Sequence, residues 1–363
     1  MAALMLSLLR HAGSILWKRR PIQLTFFVTR KCNARCPFCF YLQSADRPDD
    51  GAAELTLDEI EKISRSLGTL LWLAFSGGEA YLRKDLVEIS RIFQAQNRPA
   101  IMLYSTNGLL PELIRDATEQ ILQHCPRSVV VVKLSLDGLG EDHDALRQTP
   151  GGFEKMLRSY RLLAELLAEY PNFELGINTV FCSGNQDRMD EIIDFVQGLE
   201  HVKTHTISLV RGNLAHARYK DVDYGKYRHA MEKLEKNLKN RTSSVYRFNG
   251  ARLKAAQDIL QRRLIYQTAL EQRRLAPCYA AKLNLVLTET GQVYPCETLT
   301  ESFGNVRDFN YDLAQILRAE PAQAVTRSIE AARCHCTHEC YAMTNILFNP
   351  RQYPALLKEY LQL

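Results

Sequence analysis

Residues 22–41 read IQLTFFVTRKCNARCPFCFY, and this stretch decides how the rest of the chain is interpreted. An apolar run typical of a strand ends at Thr29, and Cys32, Cys36 and Cys39 follow it directly. Three thiolates this close together can hold a four-iron cluster and leave its fourth iron open to a ligand's amine and carboxylate. The alternatives are a structural zinc site or scattered buried cysteines. Structural zinc normally takes four closed ligands, and no His or fourth Cys lies nearby in the sequence.

Outward from this stretch, short apolar runs alternate with helical patterns as far as about residue 210. This alternation is typical of repeated βα units around a parallel sheet, although periodicity alone does not separate a barrel from an open doubly wound sheet. Thr56 and Glu59 predict a capping box at the first helix, and Gly68 predicts its stop. The predicted strands are Ile22 to Thr29, Leu70 to Phe75, Ala100 to Ser105, Val129 to Leu136, Phe173 to Val180 and Val202 to Leu209.

Composition bounds the classes of function. The 363 residues include 46 Lys and Arg against 41 Asp and Glu, a mild excess without a long basic run, so no nucleic-acid partner is expected. Ten cysteines without a secretory signal indicate reduced thiols that bind metal in the cytoplasm.

The amino-terminal segment, residues 1–21, predicts an amphipathic helix that is too short and too interrupted to span a bilayer. Its apolar run ends at Trp17 and is followed by Lys18, Arg19 and Arg20. Two interpretations stay open. The helix packs on the barrel, or it lies in the plane of a membrane with its cations on anionic headgroups, which would make the protein membrane-peripheral.

The cysteine spacing, with Phe38 before the last cysteine, resembles the CxxxCxxC signature of the radical S-adenosylmethionine (SAM) superfamily. Gly77, Gly78 and Glu79 resemble its GGE motif, in which backbone and carboxylate hold the cofactor's methionine amino group. The resemblance implies a partial (β/α)6 TIM-type barrel of parallel strands, a SAM-binding 4Fe-4S cluster, and a 5′-deoxyadenosyl radical that abstracts hydrogen from a substrate. The two glycines would let the main chain approach the ligand closely.

Polar residues at the ends of later predicted strands are candidate cofactor contacts, because chemistry in such barrels lies at the carboxyl ends of the strands. Turn and capping chemistry is the alternative, most evenly balanced for Asn107 and Asp137. Arg147 is expected either to brace the site or to form a surface ion pair. The candidates are Ser105, Asn107, Ser135, Asp137, Asn178 and Arg211.

Residues 277–345 predict a small α+β iron-sulfur module around a hairpin, and they resemble the superfamily's twitch or SPASM extension. The module contains five cysteines, which suit one auxiliary 4Fe-4S cluster, and the fourth ligand is open between Cys334 and Cys336. A zinc site is the alternative, because His335 and His338 are nearby. The candidate ligands are Cys278, Cys296, Cys334, Cys336 and Cys340.

The expected organisation is therefore an amino-terminal helix, a barrel over residues 22–210, a solvent-facing helical connector over 211–276, the cysteine module over 277–345 and a tail over 346–363. The resemblance implies a flavodoxin- or ferredoxin-type electron donor and a small-molecule, peptide or lipid substrate. The competing class is a non-catalytic iron-sulfur or zinc-binding scaffold that retains the barrel.

Overall fold

The computed structural model describes residues 10–42, 51–242, 246–248, 250–331 and 334–363. Its strands are β1 (Gln23–Thr29), β2 (Trp72–Gly77), β3 (Ile101–Thr106), β4 (Val129–Ser135), β5 (Phe173–Phe181), β6 (Thr204–Leu209), β7 (Asn284–Leu287), β8 (Gln292–Tyr294) and β9 (Gly304–Asn305). Its helices are α1 (Gly13–Leu16), α2 (Leu57–Ser66), α3 (Leu86–Asn97), α4 (Pro111–His124), α5 (Glu141–Arg147), α6 (Gly152–Glu169), α7 (Met189–Gln197), α8 (Tyr224–Lys239), α9 (Ala251–Glu271), α10 (Leu313–Arg318), α11 (Glu320–Glu330), α12 (Glu339–Leu347) and α13 (Tyr353–Gln362).

The described strands form one sheet in the order β6-β5-β4-β3-β2-β1-β7-β8-β9, and β1 to β6 run parallel to their neighbours. The predicted partial barrel is confirmed, and all six predicted strands are present with ends shifted by at most two residues. The apolar side chains on the outer face of the sheet, such as Phe26, Phe75 and Val132, pack beneath the surrounding helices. The carboxyl ends of the strands therefore meet at one rim.

The first βα unit shows the local rules that shape the barrel. Thr56 accepts a hydrogen bond from the Glu59 backbone, and Glu59 accepts one from the Thr56 backbone, so the predicted capping box is formed. The helix ends at Ser66, two residues before Gly68, as the glycine predicts.

The carboxyl-terminal cysteine module is continuous with the barrel rather than a separate body. Its strand β7 pairs in parallel with β1. Strand β8 pairs antiparallel with β7, and β9 pairs antiparallel with β8, so these strands extend the sheet. Helix α12 reaches the inner face of the sheet, where Met343 packs with Trp72 and Ile101. The module is thereby fixed against the barrel interior.

The connector between the barrel and the module differs from the predicted solvent-facing helices. Helix α9 is buried along much of its length, including Ala256 and Ile259, because it packs against α8, α12 and α13. The many Gln and Arg residues in α9 had suggested a solvated face. The tail likewise folds into α13, which packs on α9.

The predicted amino-terminal helix over residues 1–21 falls partly outside the described residues, which begin at residue 10. Within them the helix is only α1, and Trp17 already has extended backbone before β1 begins. Leu16 and Trp17 are 70% and 62% exposed, whereas Lys18 lies over the Tyr279 ring. Across the described chain, no helix combines the length and apolar character needed to cross a membrane.

Candidate active site

The loop after β1 brings its three cysteines into one apolar pocket. Cys32, Cys36 and Cys39 pack with Phe38 and Leu214, and Cys36 is buried. Backbone N–H groups of Ala34 and Leu42 donate to the sulfurs of Cys32 and Cys39 at 3.4 and 3.3 Å.

The electrostatics of this pocket fit a cationic iron cluster. Burial raises the pKa of Cys36 to about 11 and also raises that of Cys32, and each thiolate is further destabilised by its cysteine neighbours. Three thiolates sharing a dry pocket need positive charge beside them, which iron ions supply. The donor set therefore fits the group that the sequence predicts.

The glycines after β2 set the position of this loop. The N–H of Gly78 donates to the Thr29 carbonyl at 2.8 Å, and a Cβ on Gly78 would lie 2.1 Å from the Lys31 carbonyl oxygen. Gly77 has a φ of +124° and equally lacks room, since its Cβ would lie 2.4 Å from the Thr29 oxygen. The close approach in this structure is to the cysteine loop, and an approach to the ligand stays a prediction.

Glu79 lies beneath the loop, 1% exposed. Its carboxylate accepts hydrogen bonds from the backbone N–H groups of Asn107 at 2.7 Å and Tyr81 at 3.3 Å, and burial raises its pKa. Asn107 in turn donates to the Asn33 side chain at 2.7 Å, which ties the end of β3 to the cysteine loop. Glu79 and Asn107 therefore lie beside the cysteine loop, and their cofactor contacts remain predictions.

Asp137 has both carboxylate oxygens occupied by protein. They accept from the Val180 backbone at 2.7 Å and from Arg147 at 2.5 Å, and Asp137 is fully buried. This arrangement favours the structural alternative for Asp137. Arg147 is also buried, so its interpretation as a surface ion pair is wrong; its charge lowers the pKa of Cys36 against the effect of burial.

A cavity of about 240 Å³ lies between the cysteine loop and the carboxyl-terminal module. Ser105, Asn178 and Arg211 line it, and Phe38 and Phe40 border it from the loop, while their contacts with the cofactor stay predictions. Ser135 stands opposite Asn178 in the β4–β5 register. The loop, the strand ends and the module thus line one cavity.

Arg211 is the contact between barrel and module. Its guanidinium forms ion pairs with Glu297 at 3.3 Å and Glu339 at 3.2 Å, and it lies over the Phe40 ring. Each glutamate is adjacent in sequence to a candidate cluster ligand, Cys296 or Cys340. A predicted cofactor contact is therefore first of all a link between the two cysteine sites.

The module's cysteines gather around a second apolar pocket. Cys278, Cys296, Cys336 and Cys340 pack together with Tyr341 and Ile329. Cys334 is differently placed, because Arg274 donates to its sulfur at 2.9 Å and to its carbonyl at 3.1 Å.

The two histidines near these cysteines have other partners. His338 accepts from the Cys340 backbone through Nδ1 and pairs with Glu297 through Nε2 at 2.5 Å. His335 contacts Gln272 at 3.1 Å on the exposed side. The donor set that remains is thiol only, which suits iron-sulfur and weakens the zinc alternative that depended on a histidine.

Comparison with known proteins agrees with this geometry. Residues 26–196 match the family profile described as the Radical SAM superfamily. Over these residues the chain is a member of the radical SAM superfamily. Its cofactors are accordingly SAM and a 4Fe-4S cluster.

Individual relatives of this radical SAM chain cover different shares of it. It is 26% identical over 301 residues to the AdoMet-dependent heme synthase of Methanosarcina barkeri, covering 79% of the chain and 80% of that protein. It is 27% identical over 187 residues to the sporulation killing factor maturation protein SkfB of Bacillus subtilis, covering 52% of the chain but only 42% of SkfB. Streptococcus suis SuiB bound to precursor peptide SuiA shares the fold, with a TM-score of 0.60, 16% identity and coverage of 89% of the chain and 70% of SuiB.

Sequence reasoning missed two side chains of the site. Lys133 faces the cavity, and the alternation of β4 could have revealed it, since Lys133 and Ser135 share one face of the strand. Arg274 precedes the module by three residues and carried no signal of its own, because only the fold brings it to Cys334.

Proposed function

We propose that this radical SAM enzyme abstracts a hydrogen atom from a peptide substrate held in the cavity between its two cysteine sites. SkfB, a maturation protein for a killing factor, and SuiB, solved with a precursor peptide, support a peptide as substrate. The observation that carries the proposal is the shared cavity, bordered by Phe38 of the first site and Cys340 of the second.

The cluster and SAM, when bound, supply a 5′-deoxyadenosyl radical. The chain's own part is to hold the cofactor and keep water out. Cys32, Cys36 and Cys39 would hold the cluster, and Glu79 would accept from the amino group of SAM. Phe38, Phe40 and the apolar strand positions around them exclude water and other hydrogen donors from the reacting carbon.

For the auxiliary cluster we propose Cys278, Cys296, Cys336 and Cys340 as ligands. These four share one apolar pocket, whereas the sulfur of Cys334 is engaged by Arg274. Iron-sulfur clusters with four thiolates are fully ligated, which suits electron transfer from a product radical rather than substrate binding.

A heme precursor is the second candidate substrate. The observation in its favour is coverage, because the heme synthase is similar over 79% of this chain and not over the barrel alone. The two candidates are distinguished by which compound donates a hydrogen atom to the 5′-deoxyadenosyl radical.

The remaining partners are proposed on narrower grounds. Reduction of the first cluster calls for a flavodoxin- or ferredoxin-type electron donor. All ten cysteines are free thiols, which suits the cytoplasm.

Peripheral membrane contact is proposed through residues 1–20, where exposed Leu16 and Trp17 precede three cations. Its test is binding to anionic vesicles, which deletion of residues 1–20 should abolish.

The central test is anaerobic reconstitution with iron and sulfide, followed by reduction with SAM present. The proposal expects about eight irons per chain and formation of 5′-deoxyadenosine. With small peptides from deuterium-grown cells added, deuterium should appear in that product; transfer from a deuterated heme precursor instead would favour the second candidate. If no 5′-deoxyadenosine is formed at all, the result would favour the competing class, a non-catalytic scaffold.

A further inference from the structure

Lys133 lies in the wall of the barrel cavity, in the middle of β4. Along β4 the outward residues Val130, Val132 and Leu134 join the core beneath the helices, so Lys133 points inward. A valine or another apolar residue would be the ordinary occupant of this position inside a barrel.

The local structure makes room for this side chain. Lys133 stands opposite Gly176 in the β4–β5 register, and a Cβ on Gly176 would lie 3.5 Å from the Cγ of Lys133. The lysine stem thus runs across a strand position that has no side chain. Its ammonium donates to the hydroxyl of Thr206 on β6.

The other cations that line the cavity already have carboxylate partners. Lys254 pairs with Asp258 one turn further along α9, and Arg211 pairs with Glu297 and Glu339. Among the described residues, Lys133 forms no ion pair within 4.0 Å, and the Thr206 hydroxyl is its hydrogen-bond partner. An ammonium has three donors, so two remain for a ligand.

The charges around Lys133 favour the binding of an anion. Burial, followed by the nearby charge of Lys254, lowers its pKa to about 8, and the charges of Asp258, Cys340 and Glu339 only partly oppose this. Lys133 is half-buried, and its only hydrogen-bond partner among the described residues is a neutral hydroxyl, so an anion delivered by a ligand would offset the cost of its partial burial. Ser105 adds a hydroxyl donor to the same wall, whereas the Ser208 hydroxyl donates to Asn178 at 3.2 Å.

We propose that Lys133 binds a carboxylate group of the substrate and so fixes which carbon faces the radical. This inference rests on the proposed function, and it adds that the substrate carries a carboxylate close to the reacting carbon. SAM also has a carboxylate, so the experiment must separate the two sources.

The test uses trifluoroacetate as a carboxylate probe, observed by fluorine NMR, on reconstituted holoenzyme saturated with SAM. Wild type should broaden the trifluoroacetate signal saturably and leave trifluoroethanol, its neutral counterpart, unchanged. Lys133→Met should weaken trifluoroacetate binding at least tenfold, whereas Lys133→Arg should retain much of it. Lys155→Met, at an exposed lysine on α6, is the matched control and should behave as wild type.

Two further measurements decide the meaning of the result. Binding of radiolabelled SAM should be unchanged in Lys133→Met, and the exposed control Lys155→Met should leave 5′-deoxyadenosine formation without substrate unchanged. If SAM binding falls with probe binding, the lysine serves the cofactor and the proposal is overturned; absence of saturable probe binding in wild type overturns it without any variant. Failure of wild type to form 5′-deoxyadenosine would instead count against the proposed function.

Discussion

The two cysteine sites of this chain are built in opposite ways. In the first, Cys32, Cys36 and Cys39 lie within one loop of eight residues, and the backbone N–H groups of Ala34 and Leu42 donate to two of the sulfurs. In the second, the cysteines come from segments that begin with Cys278 and end with Cys340, and only the pairing of β7 with β1 and the packing of α12 bring them together. The first site depends on local geometry, and the second depends on the completed fold.

The two sites are therefore expected to be disturbed by different substitutions. The first loop keeps its shape as long as the glycines that follow β2 and lie against it are intact. A site assembled from distant segments is instead sensitive to every contact between the module and the barrel. Arg211 and Arg307 are two such links, to Glu297 and Glu59 respectively. Substitutions at the cysteines and at these links should therefore affect the two sites separately.

The largest expected effect is that of Cys36→Ser. Loss of one thiolate from a three-ligand site should remove the first cluster, so that iron falls from about eight to about four per chain and 5′-deoxyadenosine is no longer formed. Iron analysis and chromatography of the reaction products measure both. Cys182→Ala is the matched control: Cys182 packs in the same apolar pocket, but its thiol interacts with the charge of Asp137 and not with the loop cysteines. Equal iron loss in the control would show that packing, not ligation, governs this site.

The next effect concerns the second site alone. Cys336→Ser should lower the iron content by about four while leaving SAM cleavage without substrate intact, because the first loop does not depend on the module's thiols. Cys334→Ser should keep about eight irons, since Arg274 rather than a cluster engages that sulfur. Reversed results for the two variants would assign Cys334 as the fourth ligand.

Sequence reasoning reached the first site more completely than the second, and the residues show why. The spacing of Cys32, Cys36 and Cys39 is a local pattern, and the three side chains share one apolar pocket. The capping box of Thr56 and Glu59 is also a local pattern, and it is formed as expected. The role of Arg211 was not predictable, because its partners Glu297 and Glu339 are distant in sequence. Burial of α9 was missed for the same reason, since its polar composition gives no sign of the elements that cover it.

A smaller effect is expected from Gly78→Ala, which tests the support beneath the first loop. The new methyl group would meet the Lys31 carbonyl at 2.1 Å, so the loop must shift. We expect a loss of stability of about 3 kcal/mol and a fall in SAM cleavage of about 100-fold from misplacement of the loop. Denaturant unfolding and single-turnover product analysis measure these, and auxiliary iron should be retained. Gly68→Ala is the control, because nothing lies within 4 Å of its Cβ position.

The smallest effect tests the link between α2 and the module. Arg307 donates to both carboxylate oxygens of Glu59, at 2.7 and 3.1 Å, and this pairing lowers the pKa of Glu59 to about 2. A carboxyl whose pKa is depressed on folding stabilises the protein above its unfolded pKa of about 4.5, and this contribution is lost as the pH falls towards about 2. Glu59→Gln should cost about 1 kcal/mol at neutral pH and flatten the acid limb of the stability curve, as measured by urea unfolding. A variant with an unchanged acid limb would mean that the module is held by β7 and α12 alone, and that the charged link adds nothing to the second site.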